Sequence, residues 1–402
     1  MGSKDVAFNL SENNLPEGWG IRKLSEIAEI NSTCLKKGDK IGKIQYVDIS
    51  SVGERRILKK VEYSFENAPS RARRKVEDGD TIISTVRPNL KAYAYIKNPP
   101  KNLIVSTGFA VVRPKEDYKK YYYYYLTSDQ YINYLVLNTR GSAYPAVNVK
   151  TIEESNVIFP TSLEAKKIGE ILSAFDDKIE LNNEMNKTLE EIAKTIFKRW
   201  FIDFEFPNEK GKPYKSSGGE FVESELGPIP KGWRVGKLGE IIEITSGKRP
   251  VSRKEYRDIV HKIPLVGASS IMGYVKEILY NEPVIIIGRV GTLGVVQRFN
   301  EPIWASDNTL VIKSNYHEYV YQLLKLLDYN SLNRGSTQPL LTQNDIKNLP
   351  VIIAEKNVIL EFEKVSNSIY RRVNFNKKMN DILSQLRDTL LPKLISGEIR
   401  VV

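Results

Sequence analysis

The chain of 402 residues has one cysteine, Cys34, and two histidines, His261 and His317. A single thiol excludes an internal disulfide framework and fits a reducing compartment, so the expected location is cytoplasmic. With so few thiols and imidazoles there is no zinc cluster to assemble. No apolar run approaches the roughly 20 residues needed to cross a bilayer, and the opening MGSKDVAFNL has no signal-peptide core. A membrane is therefore not among the expected partners.

The motifs of nucleotide and cofactor chemistry are broken or missing. Gly288-Arg-Val-Gly-Thr-Leu-Gly294 is glycine-rich but fits neither the dinucleotide fingerprint nor the P-loop. Ser246-Gly247-Lys248-Arg249 ends like a P-loop, without the glycine five residues before Gly247. Asn98-Pro99-Pro100 is followed by Lys101, where an amino-methyltransferase motif needs an aromatic to hold the target base. Acidic pairs such as Glu153-Glu154 and Asp176-Asp177 read as solvated faces or helix caps. No catalytic residue, metal ligand or cofactor is expected in this chain. An enzyme working alone and a protein-binding coiled-coil adaptor are the two alternatives.

What the sequence does have is two long helices. From Ser162 to Phe204 there is no Gly or Pro after Gly169, and Leu172, Phe175, Ile179, Met185, Leu189, Ile192 and Ile196 recur at mostly three- and four-residue steps. That spacing predicts the narrow apolar seam of a coiled coil, closed before Pro207. At ~1.5 Å per residue such a helix from Ser162 to Trp200 is on the order of 58 Å long, too long for one compact domain. The pattern returns between Glu355 and Ser396 at Ile369, Val373, Met379, Leu383, Leu386 and Leu390, each 194 positions beyond its counterpart. The same shift sets Asn182 on Asn376 and Asn186 on Asn380. Asn182 and Asn376 fall on the seam, where a polar residue fixes register at some cost in stability.

The duplication extends outward from the helices. Leu15 to Ile30, LPEGWGIRKLSEIAEI, recurs as Ile229 to Ile244, IPKGWRVGKLGEIIEI, with Trp19 answering Trp233. Both tryptophans read as hydrophobic anchors. Strands are expected at Ile44–Ile49, Asp80–Val86, Ala92–Ile96 and Phe109–Arg113 in the first copy. In the second they are expected at Pro264–Val266, Val284–Ile287, Gly294–Arg298 and Thr309–Ile312. Helices are expected near Tyr118–Leu137 and Glu318–Asn330. The five tyrosines Tyr121 to Tyr125 suit an aromatic helix packed on a sheet better than a platform for stacked bases. Arg140-Gly141-Ser142-Ala143-Tyr144-Pro145 is answered by Arg334-Gly335-Ser336-Thr337-Gln338-Pro339.

The expected architecture is α+β, with an internal pseudo-twofold repeat. Two globular domains, 15–160 and 229–354, are separated by long helices at 161–204 and 355–402 that pack as an antiparallel coiled coil. A tail covers 1–14, and a polar, solvated linker covers 205–228. The interiors of the two domains differ far more than their ends.

Net charge is +11, from 60 Lys and Arg against 49 Asp and Glu, which favours a polyanionic partner. The basic residues gather in loops of both domains. In the first are Arg55, Arg56, Arg71, Arg73, Arg74, Lys75, Arg87 with Asn89 and Lys91, and Arg140 with Tyr144. In the second are Lys248, Arg249, Arg253, Lys254, Arg257, Arg289, and Arg334 with Gln338. Arg and Asn suit bidentate contacts to guanine and adenine edges, and Lys mostly neutralises phosphate.

A family resemblance completes the sequence reading. Phe197-Lys-Arg-Trp-Phe-Ile-Asp-Phe204, then Gly219-Glu-Phe-Val-Glu-Ser-Glu-Leu-Gly227 running into Ile229-Pro-Lys-Gly-Trp233, resembles the central conserved region of type I restriction–modification specificity subunits. The loop Gly141–Pro145 and the ending Leu391-Pro-Lys-Leu-Ile-Ser-Gly397 resemble that family too. The resemblance implies a non-catalytic subunit in which each half is a target-recognition domain followed by a conserved helix. It implies double-stranded DNA, two methyltransferase subunits and restriction/translocase subunits as partners. AdoMet, ATP and Mg²⁺ would belong to those partners.

Overall fold

The computed structural model describes residues 15–36, 38–39, 41–115, 117–141, 143–335 and 339–401. The tail 1–14 and Gln338 lie outside the described residues. The chain divides into two compact units, one formed by residues up to 182 together with those from 378, the other by 183–377.

The first unit opens on β1 (Gly20–Lys23), followed by β2 (Ala28–Ile30), β3 (Lys43–Val47), β4 (Val61–Ser64) and β5 (Ala72–Lys75). Next come β6 (Thr81–Ser84), β7 (Tyr93–Tyr95), β8 (Leu103–Ser106), β9 (Phe109–Pro114), α1 (Lys119–Leu126), α2 (Asp129–Leu137) and β10 (Asn156–Phe159). Two four-stranded sheets form, in the orders β4-β3-β8-β5 and β2-β9-β6-β7, and β1 pairs with β10. All pairings are antiparallel except β3 with β8. The apolar faces meet through Val47, Ile82, Ala94, Val105, Phe109 and Val111. The other face of the β2-β9-β6-β7 sheet is covered by α1 and α2. All five tyrosines of α1 are buried, so none offers a stacking platform. One expected helix is two, because Ser128 caps the second by accepting the Tyr131 amide at 3.3 Å.

The second unit repeats this plan with β11 (Arg234–Lys237), β12 (Glu243–Ser246), β13 (Ile263–Val266), β14 (Ile271–Val275) and β15 (Val284–Gly288). They are followed by β16 (Val296–Phe299), β17 (Trp304–Ala305), β18 (Thr309–Lys313) and β19 (Pro350–Ile353). The order β12-β18-β15-β16 matches β2-β9-β6-β7, and β11 with β19 matches β1 with β10. The other sheet is β14-β13-β17, again with one parallel pair, β13 with β17. It has no counterpart of β5 among the described residues, and there the second copy is shorter.

Most side chains of the linker 205–228 are exposed, but the segment is anchored through its aromatics. Phe206 is buried and stacks on Trp233 with centroids 5.0 Å apart and on Tyr214 at 4.5 Å. Its charge-rich composition hides three aromatics, Phe206, Tyr214 and Phe221, which pack on one another and on Phe204 and Trp233.

The two long helices are α3 (Ser162–Phe201) and α4 (Lys356–Ile395), and each gives one half to each unit. The first ends before Phe204, which turns left-handed at φ 59°. In the first unit the helices meet antiparallel. Arg387 ion-pairs with Asp176, and Asn182 Nδ2 donates to Asn380 Oδ1 at 2.7 Å. In the second unit Asn376 Nδ2 donates to Asn186 Oδ1 at 2.8 Å, and Ala193 packs against Tyr370 and Val373.

The seam departs from the expected one in register. The buried and half-buried positions run 172, 175, 179, 182, 186, 189, 193 and 196, alternating three and four without a break. Its partners are 366, 369, 373, 376, 380, 383, 387 and 390. Met185 and Met379 therefore lie one residue off the seam. Ile192 and Leu386, also expected in it, are 43% and 47% exposed. Asn186 and Ala193 hold those places instead: Asn186 pairs with Asn376, which fixes register at some cost in stability, and the small Ala193 packs under Tyr370 and Val373. By the 194-residue shift Asp176 corresponds to Tyr370, and Arg387 to Ala193. One layer is thus an ion pair in the first unit and a Tyr–Ala contact in the second.

Candidate nucleic-acid interface

In the first unit, β6 ends and β9 begins at the same sheet edge, where four loops converge. Thr85 donates both its amide and its hydroxyl to Gly108 O at 2.9 Å. The Thr107 amide reaches Arg71 O at 2.9 Å, and Arg74 Nη2 reaches Thr107 O at 3.2 Å. The Arg140–Tyr144 loop closes on itself through the Arg140 and Ala146 backbones and is clipped on by Arg87 N to Pro145 O, 2.8 Å. These bonds bring Arg71, Arg74, Arg87, Asn89, Arg140 and Tyr144 to one edge.

Other candidates of this unit are engaged elsewhere. Burial presses the Lys91 pKa down, but ion pairs with Asp129 at 2.8 Å and Glu54 at 3.7 Å together raise it on balance. Lys75 meets Asp39 at 3.5 Å, and Arg73 lies over the Phe65 ring. Arg55 departs most from the sequence expectation. Its guanidinium is enclosed by the rings of Tyr93, Tyr123 and Tyr124 at 5.4–5.7 Å and donates to Thr127 Oγ1 at 3.1 Å. It is a core cation, not a surface one.

The second unit builds the equivalent edge with different side chains. Gly247 N donates to Thr309 O at 3.0 Å and Lys248 N to Ala305 O at 2.9 Å. The Trp304 indole donates to Lys248 O at 2.7 Å. A Cβ on Gly247 would lie 2.1 Å from Ser306 O, so only glycine lets the chain pass here and present Lys248. Arg289 N donates to Asn308 O, and Gly291 N to Pro339 O at 3.1 Å, the bond that answers Arg87 to Pro145. Arg334 ion-pairs with Asp345 at 2.6 Å. Burial pushes the Asp345 carboxyl up, but hydrogen bonds from Thr342 and Arg334 together hold it below its ordinary value. Arg249, Arg253 and Arg257 are exposed on the long loop before β13. There the Lys254 side chain pairs with Asp258 at 2.6 Å, and its backbone bridges Tyr274.

Sequence reasoning missed the residues that hold these edges. Trp304 and Asn333 are the clearest cases, the latter accepting from Gly335 N at 2.9 Å and Leu340 N at 3.0 Å. Gly247 was the one visible signal, as a glycine inside a basic run.

Known proteins are similar to this chain in sequence and in fold. The family model for the type I restriction modification DNA specificity domain matches residues 16–191 and again 230–396, so its two matches fall on the two copies of the repeat. The MjaIX specificity subunit of Methanocaldococcus jannaschii is 31% identical, the alignment covering 96% of this chain and 95% of that protein. The HindI specificity subunit of Haemophilus influenzae is 25% identical, with 84% and 90% covered. The crystal structure of an S subunit from M. genitalium superposes with a TM-score of 0.57 at 17% identity, over 97% and 99% of the two chains, which shows the shared fold. The chain belongs to the family of type I restriction–modification DNA specificity subunits.

Proposed function

We propose that each unit reads one half of an asymmetric, bipartite DNA site, and that the chain brings two methyltransferase subunits, and restriction subunits, to that site. The observation that carries this is one strand plan built twice with unlike loops at the equivalent sheet edge. Equal frames fix where the loops stand, and unequal loops give unequal half-sites. Direct readout needs such loops to carry Arg, Asn or Lys toward base edges, while neighbouring cations neutralise phosphate. The functional segments are 15–160 and 229–354 as readers, with 161–204 and 355–402 as the helical frame. AdoMet, ATP and Mg²⁺ act in the partner subunits, and this chain supplies no catalytic group.

The test is methylome sequencing of cells expressing this chain with its cognate methyltransferase. One bipartite motif is expected. Exchange of 15–160 for the same region of a relative should change one half of the motif and leave the other. A change in both halves, or in neither, refutes the reading.

A further inference from the structure

The loop between β6 and β7 in the first unit has the same backbone frame as the loop between β15 and β16 in the second. In both, an amide three residues past the strand bonds a proline carbonyl, Arg87 to Pro145 and Gly291 to Pro339. In both, the carbonyl of Thr85 or Arg289 accepts a return bond, from Val147 at 2.8 Å and from Leu341 at 2.9 Å. Each loop has two residues in the left-handed region. In the second unit they are Gly291 at φ 84° and Gly294 at φ 80°, which is what that conformation favours. In the first they are Arg87 at φ 47° and Lys91 at φ 52°. A residue with a Cβ is strained there, and such strain persists only where the surroundings enforce it.

The Lys91 side chain is used within the fold, on Asp129 and Glu54. Arg87 makes no ion pair among the described residues and stands exposed. Its guanidinium lies 5.2 Å from the centroid of the exposed Tyr144 ring, and Nη2 donates to Ala143 O at 3.3 Å. Pro88 behind it is buried, and the loop is pinned at both ends. A planar fork held on an aromatic face, with donors to spare and no carboxylate to satisfy, is preorganised for a partner with two adjacent acceptors. Guanine presents that pair in the major groove, N7 and O6.

We infer that Arg87 reads a guanine in the half-site of the first unit, at a backbone position where the fold itself would accept glycine. The inference rests on the two-reader function proposed above.

The experiment compares methylomes of the complex carrying the natural chain, Arg87→Gly or Arg87→Ala, with the half-site of the first unit identified by the domain exchange. Both variants should relax one G·C position of that half-site, with discrimination there reduced by roughly tenfold or more. The other half-site should stay intact. Arg87→Gly should melt no lower than the natural chain and above Arg87→Ala, since glycine relieves the strain and alanine keeps it. An unchanged motif in both variants overturns the inference while the two-reader function stands. A uniform drop in methylation with the motif preserved marks a phosphate contact and also overturns it. Failure of the natural complex to methylate any bipartite motif overturns both.

Discussion

Asp176 is the carboxylate on which the helix pairing of the first unit turns, and its removal makes a sharp test. It accepts the Tyr124 hydroxyl at 2.5 Å and pairs with Arg387, whose side chain is 8% exposed. Breaking a buried ion pair by removing one partner costs about 3–5 kcal/mol, because the other charge stays behind. Two facts reduce that. The Asp176 side chain is 25% exposed, and Arg387 keeps Asp388 at 2.9 Å. About 2–3 kcal/mol remains, to which the orphaned Tyr124 hydroxyl adds about 1–2 kcal/mol. Asp176→Ala is therefore expected to cost about 3–5 kcal/mol. Arg387→Ala should cost about 1–2 kcal/mol, since Asp176 keeps Tyr124 and has access to water. The double variant should be no worse than Asp176→Ala alone, a coupling of about 1–2 kcal/mol.

The second unit suggests a repair. It fills the equivalent layer with Tyr370 and Ala193, so Asp176→Tyr with Arg387→Ala should recover part of what Asp176→Ala loses. Two compact units need not share one unfolding transition, so local hydrogen exchange is the suitable readout. Amides 119–126 should lose protection by about 100- to 4,000-fold in Asp176→Ala, at tenfold per ~1.4 kcal/mol. Additive single costs, or a loss under about 1 kcal/mol, would show that this layer is held by packing and not by the charge pair.

Two further outcomes follow from the second unit. Asn186→Leu alone leaves the buried Asn376 amide unpaired and should cost about 1–2 kcal/mol, whereas Leu at both 186 and 376 should restore stability or raise it. Exchange of amides 186–197 reads this, and a double variant less stable than the single one would contradict it. Burial, reinforced by Glu318 nearby, raises the Glu363 carboxyl to about 7, so its stabilising contribution is present below pH 4.5 and is lost as pH rises through 7. Burial beside Arg298 lowers His317 to about 4, so its contribution is present above 6.5 and is lost on acidification. The two oppose each other between pH 4.5 and 6.5. Glu363→Gln should expose the acid lability as a midpoint in urea that falls with pH across that window, and an unchanged pH profile would refute it.

How much of this was readable in the sequence depended on what kind of signal each part carries. The frame was legible because it is written twice. A 194-residue shift found both helices, and the strands at Ile44, Thr81, Phe109, Val284 and Thr309 announce themselves by apolar runs. The strand Ala72–Lys75 did not, since ARRK is three cations in four residues and is a strand only because β8 supplies the ladder. The slip in the seam has the same origin. Hydrophobicity picked Met185 and Ile192, while the interface uses an amide pair and a small residue whose fit depends on the facing Asn376 and Tyr370.

The basic loops show where sequence runs out for the site. Arg55 and Arg87 are equal as letters, each an arginine in a charged loop between strands. Both are left-handed, at φ 63° and 47°. One is enclosed by three tyrosines and the other lies exposed beside one. What separates them is the position of rings brought in from Tyr93, Tyr123, Tyr124 and Tyr144, which no local pattern encodes. A frame that repeats can be recognised from its repeats. A reading edge is assembled from loops with no reason to resemble each other, and in a two-headed reader their difference is the property that makes the half-sites unequal.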